Sequence, residues 1–414
     1  MDWLARDIET SMPLVRQIVC TEGQSGDFPS FATWYGGHPE HCTASPSDPD
    51  AAAVQIYSSG TTGVPKGVVL SHRNMVSAAQ AASGAMRFGP SSVLSNILPT
   101  FHISGMLMLA VSLYAGGHTR AYPEFDPADF IESIGRDGIT HAVLVPAMLL
   151  FILASPAVSN GDYSTLELIT YGGAPISEPV LQQAIEVFKC DFLQLYGLTE
   201  ISGVVTFLRP EDHHRATAGQ IELLRSSGKP AEGTEIRIID PVTFRDQAEG
   251  EAGEIWVKSD RNLVEYWRDP SASSAAFPEG REEGWLKTGD VARVEQGYVY
   301  LMDRLKDMII SGGENIYTAE VEKILAKHPC VDDCAVIGVP DDVWGESVKA
   351  CIVLKNGVRI TSAEIIDWMR EQIAHYKCPK SIDFMDVLPR NPNGKILKAT
   401  LRAPYWAGRE RAVN

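Results

Sequence analysis

The 414-residue chain is too long for one ordinary hydrophobic core, so two or more domains are expected. Hydrophobic residues make up 44% and charged residues 21%, a balance that excludes a disordered chain. The formal net charge of -17 repels phosphate backbones, and no run of lysine and arginine is long enough to offset it, so nucleic acid is not an expected partner.

Cysteine usage and the apolar runs predict a cytoplasmic protein without a transmembrane segment. The seven cysteines are odd in number and scattered, and the close pair Cys330 and Cys334 lacks the further ligands of a zinc site. The first seven residues lack the basic and apolar pattern of a signal peptide. The most apolar run, residues 142–153, contains Pro146 and is too short to span a bilayer. A homo-oligomer is left open.

Residues 1–50 show weak periodicity, and short apolar strands alternate with helices from Ala51 onward. Ser71 resembles the N-cap of a helix that continues to about Ser83. This alternation predicts an α/β fold of layered sheets. The strands predicted in this part of the chain are residues 54–57, 67–70, 142–145, 166–171 and 192–196.

The pattern changes after Gly219, where a β-rich subdomain is predicted. Its predicted strands are residues 235–239, 254–257 and 298–301, with turns at Gly233, Gly250, Gly253 and Gly297.

The last hundred residues predict a small α+β domain. Thr318 can cap a helix, two strands follow at 335–339 and 348–354, and Thr361 with Glu364 forms a capping box for a second helix. We place the domain boundary where the β-rich pattern ends. The predicted domains are residues 1–303 and 304–414.

The segment from Ser58 to Gly67 is typical of a loop that binds a polyphosphate. Hydroxyl groups and unhindered backbone N–H groups are its donors, and Lys66 adds a fixed positive charge. Because Lys66 follows Pro65 and precedes Gly67, the segment is not a Walker A loop. A flexible linker is the alternative. The predicted phosphate-binding residues are Ser58, Ser59, Gly60, Thr61, Thr62, Gly63 and Lys66.

Two further segments follow predicted strands. A glycine pair after Tyr171 allows the backbone to approach a flat ligand, although a simple turn is the alternative. Glu200, in the segment from Tyr196 to Glu200, offers the hard oxygen ligand that Mg²⁺ prefers. Taken alone, Thr199 and Glu200 would more often form a helix cap.

These segments and their order along the chain resemble the motifs of the adenylate-forming superfamily. This superfamily includes acyl-CoA and aryl-CoA synthetases, peptide-synthetase adenylation domains and beetle luciferases. The resemblance extends from about residue 54 to 403 and covers at least six motifs. It implies a large N-terminal domain of layered α/β sheets with a β-rich subdomain, and a small mobile α+β C-terminal domain. The implied enzyme is an acyl-CoA synthetase that uses ATP, Mg²⁺ and CoA to activate a carboxylic acid through an acyl-adenylate. The small and apolar residues Ile103, Gly105, Met106 and Leu107 favour a fatty acid.

The resemblance also implies roles for individual residues. Lys395 resembles the lysine that catalyses adenylation, and Lys306 falls at the hinge about which the C-terminal domain rotates. Thr199 is expected to bind phosphate or the substrate carboxylate, with Glu200 at the metal. The remaining implied nucleotide- and CoA-binding residues are Gly172, Gly173, Ala174, Pro175, Tyr196, Asp290, Arg304, Gly312 and Gly313.

The segment around His102 resembles the one that flanks the acyl pocket, which makes His102, Gly105 and Met106 candidate substrate residues. A histidine satisfied by backbone groups in the core, and a methionine that belongs to the core, are the alternatives for His102 and Met106.

The chain departs from the family pattern in two places. Thr318 stands where the family usually has proline, and the segment before the phosphate loop is shorter than usual, so the first part of the N-terminal domain is expected to be lacking. Two alternatives follow. The chain could use an acceptor other than CoA, or it could be a truncated nucleotide-binding protein with little or no turnover.

Overall fold

In a computed structural model of the chain, the residues described are 19–20, 28–37, 48–58, 65–390 and 396–407. Two compact units are present, Met1–Asp48 and Pro49–Asn414. The described part of the first unit contains the helix Phe31–Gly36, which begins because the Ser30 hydroxyl accepts a hydrogen bond from the Thr33 amide at 3.1 Å. All further elements belong to the second unit.

A seven-stranded sheet forms the first layer of the second unit, and its first five strands run parallel. Successive side chains enter opposite cores, as Leu168 and Ile169 do. Because helices cover both faces, the strands are buried runs rather than alternating patterns. In spatial order the strands are His118–Ala121, Val93–Asn96, His141–Leu144, Leu168–Gly172, Asp191–Tyr196, Thr206–Leu208 and Lys229–Pro230.

The helices in this part of the chain follow or connect the strands of the sheet. Most begin with proline in their first turn or with a capping side chain, as at Asp126 and Ser71. The α-helices are His72–Met86, Ile103–Ala115, Pro127–Asp137, Pro146–Ala154, Glu178–Phe188, Pro210–Thr217 and Pro270–Ala275. Short 3₁₀ helices span Pro156–Asn160, Thr199–Ile201 and Ile221–Arg225.

Two antiparallel sheets share a third core with these helices. The strands of the three-stranded sheet are Ala52–Ser58, Lys66–Ser71 and Glu265–Tyr266. The strands of the four-stranded sheet are Thr234–Ile239, Gly253–Ser259, Trp285–Glu295 and Tyr298–Arg304. In the three-stranded sheet Ser58 lies opposite Lys66, so the predicted phosphate loop connects the two strands of a hairpin.

A five-stranded sheet lies in the C-terminal part. Its long central hairpin has side chains that alternate between two cores, with Val336 in one and Ile337 in the other. The strands are Glu314–Ile316, Ile309–Ser311, Gly345–Leu354, Val331–Asp341 and Ser381–Phe384. The helices here are Thr318–Leu325, Ser362–Gln372 and Lys398–Arg402, with a 3₁₀ turn at His375–Lys377.

The α/β fold class is confirmed, and each strand predicted from the sequence is present within a few residues. The helix after Ser71 extends to Met86, three residues beyond the predicted end. The prediction of a turn at Gly253 was wrong: this residue begins a strand, and a Cβ atom there would lie 2.5 Å from the Ile239 carbonyl oxygen. Among the described residues, no helix is both long and apolar enough to cross a membrane.

The predicted capping box at Thr361 is present, and we expect it to stabilise the start of helix Ser362–Gln372. The Glu364 amide donates to the Thr361 hydroxyl at 3.3 Å, and the Glu364 carboxylate accepts from the Thr361 amide at 2.8 Å. Thr361→Ala should destabilise this helix end by about 1 kcal/mol and raise hydrogen exchange of the Glu364 amide about fivefold. Thr400→Ala, an exposed threonine within a helix, is the matched control. Equal exchange in both variants would contradict the capping role.

Candidate active site

Glu200 connects the predicted phosphate hairpin to the edge of the seven-stranded sheet. It lies on the 3₁₀ turn Thr199–Ile201, four residues after the strand residue Tyr196. The Ser58 hydroxyl donates to Glu200 Oε1 at 3.2 Å, and the Tyr266 hydroxyl donates to the same oxygen at 3.2 Å. Lys66 Nζ lies 5.0 Å from the centroid of the Tyr266 ring. Tyr266 thus contacts a carboxylate through its hydroxyl and a cation through the face of its ring.

The second carboxylate oxygen of Glu200 is suited to a cation. Within the described part of the chain, no donor reaches Glu200 Oε2. In the same part, no group of three or more histidine, cysteine, aspartate or glutamate residues could hold a metal by itself. A magnesium ion at Glu200 would therefore take its other ligands from phosphate oxygens and water, as Mg²⁺ usually does in nucleotide enzymes.

Asp290 is a buried carboxylate held from two sides. The Tyr196 hydroxyl donates to Asp290 Oδ2 at 2.7 Å, and Arg304 Nε lies 3.4 Å from Asp290 Oδ1. Burial and the neighbouring Asp290 charge raise the pKa of Tyr196 well above its usual value, so its hydroxyl stays a donor. Three residues predicted separately from the sequence therefore lie together. The two Asp290 carboxylate oxygens retain lone pairs for the neighbouring hydroxyls of a sugar.

Glycine permits close backbone contacts at the carboxyl ends of two parallel strands. A Cβ atom on Gly172 would lie 2.2 Å from the Leu195 carbonyl oxygen, and one on Gly197 would lie 2.0 Å from the Gly203 carbonyl oxygen. Gly173 follows with a positive φ of 79°. These contacts leave no room for side chains. The segment after Gly172, including Ala174 and Pro175, is exposed at the sheet edge where ligands of open α/β sheets bind.

Tyr171 is fixed beneath this segment by a buried histidine. His213 Nδ1 lies 2.9 Å from the Arg209 carbonyl oxygen, which can only accept, so Nδ1 carries the proton. His213 Nε2 therefore accepts from the Tyr171 hydroxyl at 3.0 Å. Burial lowers the pKa of His213 to about 4, with the charge on Asp212 among the groups that oppose this shift. A neutral imidazole thus anchors the strand that carries the glycine pair.

The candidate substrate residues lie at the start of helix Ile103–Ala115. His102 is its N-cap, and Met106 packs, partly buried, against the core of the antiparallel sheets. Gly105 is buried, and a Cβ atom there would lie 2.4 Å from the Pro99 carbonyl oxygen. Gly105 therefore allows the helix to approach the preceding loop closely. Contact of these three residues with an acyl group stays a prediction.

Lys306, the predicted hinge residue, lies in a turn bound to the last described helix. Arg402 Nη1 donates to the Lys306 carbonyl oxygen at 3.0 Å and to Asp307 Oδ1 at 2.8 Å. Burial, with the nearby positive charge of Arg304, lowers the pKa of Lys306. The Gly312 amide, farther along, donates to the Trp344 carbonyl oxygen at 2.8 Å. Polar contacts thus hold the turn at Lys306 to Arg402 and the segment at Gly312 to Trp344.

The prediction that Thr318 caps its helix was wrong. Helix Thr318–Leu325 has Tyr317 as its N-cap residue, without a side-chain cap hydrogen bond. The Asp303 carboxylate does the capping from the preceding strand, because it accepts from both the amide and the hydroxyl of Thr318, the latter at 2.8 Å. A proline here would have no amide hydrogen to donate. Thr318 therefore makes two hydrogen bonds, through its amide and its hydroxyl, that a proline could not make.

Thr318 also contacts a buried lysine. Lys398 Nζ donates to the Thr318 hydroxyl oxygen at 2.6 Å and pairs with Glu322 at 2.7 Å. Burial opposes the charge on Lys398, but Glu322 and Asp303 outweigh it and raise its pKa. This network joins the strand that ends at Arg304 to the helices on both faces of the five-stranded sheet.

Several predicted residues lie outside the described part of the chain. They are Ser59, Gly60, Thr61, Thr62, Gly63 and Lys395.

Comparison with known proteins identifies the family. The "AMP-binding enzyme" family profile matches residues 5–267, and the "AMP-binding enzyme C-terminal domain" profile matches residues 320–395. The chain belongs to the AMP-binding enzyme family. This membership confirms the adenylate-forming resemblance and the two-part α/β architecture, and it makes the chain an AMP-forming acid–thiol ligase by family.

Two curated relatives of this AMP-binding enzyme are bacterial ligases. The fatty acid–[acyl-carrier-protein] ligase ScoC of Streptomyces coeruleorubidus is 38% identical over 93% of the chain and 74% of ScoC. The long-chain-fatty-acid–CoA ligase FadD13 of Mycobacterium tuberculosis is 36% identical over 85% of the chain and 67% of FadD13.

A solved structure shows the same fold. It is the o-succinylbenzoate coenzyme A synthetase MenE of Bacillus subtilis in complex with ATP and magnesium ion. The TM-score is 0.76 and the identity 34%, and the match covers 86% of the chain and 70% of that structure.

Sequence reasoning missed three residues of this AMP-binding enzyme that contact predicted site residues or the strand that carries them: Tyr266, His213 and, through its backbone carbonyl, Trp344. Tyr266 lies more than 60 positions from Glu200, its hydrogen-bond partner. The adjacent aromatics Tyr266 and Trp267 are typical of a strand, but they do not indicate that Tyr266 lies at a polar site. His213 gave no signal either, because only the fold brings it to Tyr171.

The low pKa of His213 should make stability fall on acidification. The ordinary histidine pKa of 6.5 lies above the folded value of about 4, so the unfolded chain binds the proton first. Between these pH values the folded state should lose on the order of 3 kcal/mol. His213→Gln should flatten the dependence of Tm on pH in this window, and His118→Gln, at an exposed site, should not. Imidazole NMR that shows His213 titrating near 6.5 would contradict the assignment.

Proposed function

We propose that this AMP-binding enzyme is an acyl-CoA synthetase. It would use Mg-ATP to convert a carboxylic acid to an acyl-adenylate with release of pyrophosphate, and then transfer the acyl group to the thiol of CoA. One observation carries the proposal. Tyr196 and Glu200, on one short segment, connect to two different polar clusters, the Asp290–Arg304 pair and the hairpin with Ser58 and Lys66.

The two clusters suit the two ends of ATP. Asp290, held by Tyr196 and Arg304, would accept from the ribose hydroxyls, and the exposed segment after Gly172 would contact adenine. Lys66 and the loop before it would bind the β- and γ-phosphates. A magnesium ion at Glu200 would neutralise phosphate charge during attack. Thr199 would bind phosphate or the substrate carboxylate.

The second half-reaction requires a change of the groups at the site. We infer that residues 304–414 rotate as a domain about Lys306 against residues 1–303. Rotation would remove Lys395 after adenylation and bring Gly312 and Gly313 beside the pantetheine chain of CoA. A single domain face cannot serve both steps at once, which is the physical reason for a hinge.

The acid and the acceptor are the finer parts of the proposal. A fatty acid is supported by the names of ScoC and FadD13, whereas the MenE name refers to an aromatic acid. An acyl-carrier-protein acceptor is the second candidate, because ScoC is named for it.

Pyrophosphate release should be measured with a panel of fatty and aromatic acids, with and without CoA, and mass spectrometry should separate acyl-CoA from acyl-AMP. If no acid in the panel gives pyrophosphate release, the synthetase assignment is rejected and a nucleotide-binding protein is favoured.

Lys395→Ala should lose adenylation and retain the second half-reaction. An ammonium that stabilises charge developing at the α-phosphate contributes on the order of 3 kcal/mol, so pyrophosphate release should fall roughly 100-fold. Thioester formation from supplied acyl-adenylate should stay near the wild-type rate. Lys327→Ala, at an exposed lysine, is the control. Unchanged adenylation would remove Lys395 from the mechanism.

Lys306→Pro should show the opposite pattern. Proline fixes φ near -65°, so the turn could no longer supply the backbone rotation that the hinge needs. Pyrophosphate release should persist, and acyl-CoA formation from supplied acyl-adenylate should fall at least about tenfold. Lys306→Ala removes the ammonium but leaves φ free, and it should preserve both steps. If both half-reactions survive in the proline variant, the hinge lies elsewhere.

A further inference from the structure

The backbone of Tyr266 is held against the phosphate hairpin. Tyr266 pairs with Val68 in the three-stranded sheet, and the Trp267 amide donates to the Gly67 carbonyl oxygen at 2.7 Å. The Ser273 hydroxyl accepts from the Tyr266 amide at 2.9 Å. These hydrogen bonds fix the backbone of Tyr266 beside the hairpin.

The hydroxyl of Tyr266 restricts the Glu200 carboxylate. It donates to Oε1, the oxygen that also accepts from Ser58. Two donors on one carboxylate oxygen limit rotation of the carboxylate plane and leave Oε2 for a cation. A hydrogen bond to a charged group contributes more than one between neutral groups.

The ring of Tyr266 contacts the opposite charge. Lys66 Nζ lies over its face, 5.0 Å from the centroid, where the ring quadrupole attracts a cation. Within the described part of the chain, Lys66 and Glu200 form no ion pair with one another. In a direct ion pair, the Lys66 ammonium and the Glu200 carboxylate would neutralise each other. Tyr266 instead contacts Glu200 through one carboxylate oxygen and Lys66 through the ring face, which leaves Glu200 Oε2 and the Lys66 ammonium available to a ligand.

We propose that Tyr266 is a positioning residue that holds Lys66 and Glu200 as separate phosphate and metal contacts. The inference rests on the proposed function, because it assumes that a metal–nucleotide complex binds between these groups. Its two parts are separable. The hydroxyl would set the metal affinity through Glu200, and the ring would set the nucleotide affinity through Lys66.

Two substitutions at Tyr266 test the two parts. Tyr266→Phe keeps the ring and removes the hydroxyl, so the Mg²⁺ concentration for half-maximal pyrophosphate release should rise about tenfold while KM for ATP at saturating Mg²⁺ stays unchanged. Tyr266→Leu removes both contacts and should raise both quantities. Tyr163→Phe is the matched control, since its hydroxyl donates to the Val158 carbonyl oxygen at 2.8 Å in another core. It should change neither.

A double-mutant cycle shows whether the hydroxyl acts through Glu200. Binding of Mn²⁺ with a non-hydrolysable ATP analogue, followed by electron paramagnetic resonance, does not depend on turnover. Tyr266→Phe should weaken Mn²⁺ binding in the otherwise wild-type enzyme and should have no further effect in a Glu200→Gln background. A general structural defect would lower Tm and weaken binding in both backgrounds.

The outcomes separate this inference from the proposed function. If the wild-type enzyme and the Tyr266→Phe variant bind the Mn²⁺–nucleotide complex with the same affinity, the positioning role is overturned and the proposed function is not affected. Equal losses with and without Glu200 would overturn it too. A wild-type enzyme that neither binds the complex nor releases pyrophosphate with any acid would reject the synthetase assignment, and the role of Tyr266 with it.

Discussion

The convergence of two donors on Glu200 Oε1 is the contact on which the candidate site depends. Ser58 and Tyr266 come from the three-stranded sheet, whereas Glu200 follows the last parallel strand of the seven-stranded sheet. These hydrogen bonds place the strands Ala52–Ser58 and Lys66–Ser71 beside the sheet edge at which α/β proteins bind ligands. If the two sheets were not joined there, Lys66 would have no fixed relation to the nucleotide groups expected at that edge.

A second set of contacts joins the large sheets to the C-terminal part. Asp303, at the end of the four-stranded sheet, accepts two hydrogen bonds from Thr318, and the buried Lys398 donates to the same threonine. Buried charges are costly unless they are paired, so breaking one of these contacts would leave a buried charge without its partner. This set of contacts lies beside Lys306. The rotation proposed about Lys306 would have to break these contacts.

Sequence and structure agree best where local chemistry decides the outcome. Ser71 and Thr361 were predicted as N-caps because the hydroxyl of such a residue accepts a hydrogen bond from the helix amide three positions later. Thr318 has the same kind of hydroxyl, but it is the first residue inside its helix, and both its amide and its hydroxyl donate to the Asp303 carboxylate. The strand Trp285–Glu295 was also missed, although it lies between two predicted strands of its sheet. Its glycine and charged residues conceal the alternation.

The amino-acid sequence by itself determined the motifs, the α/β class and the chemical type of most site residues, because these depend on residue identity and short-range spacing. Tertiary structure alone decided the partners. Tyr266 reaches Glu200, His213 reaches Tyr171 and Asp303 reaches Thr318 through pairings between distant segments. Side-chain hydrogen bonds extend only about 3 Å, so whether two distant groups meet depends on sheet order and register, which no local pattern specifies.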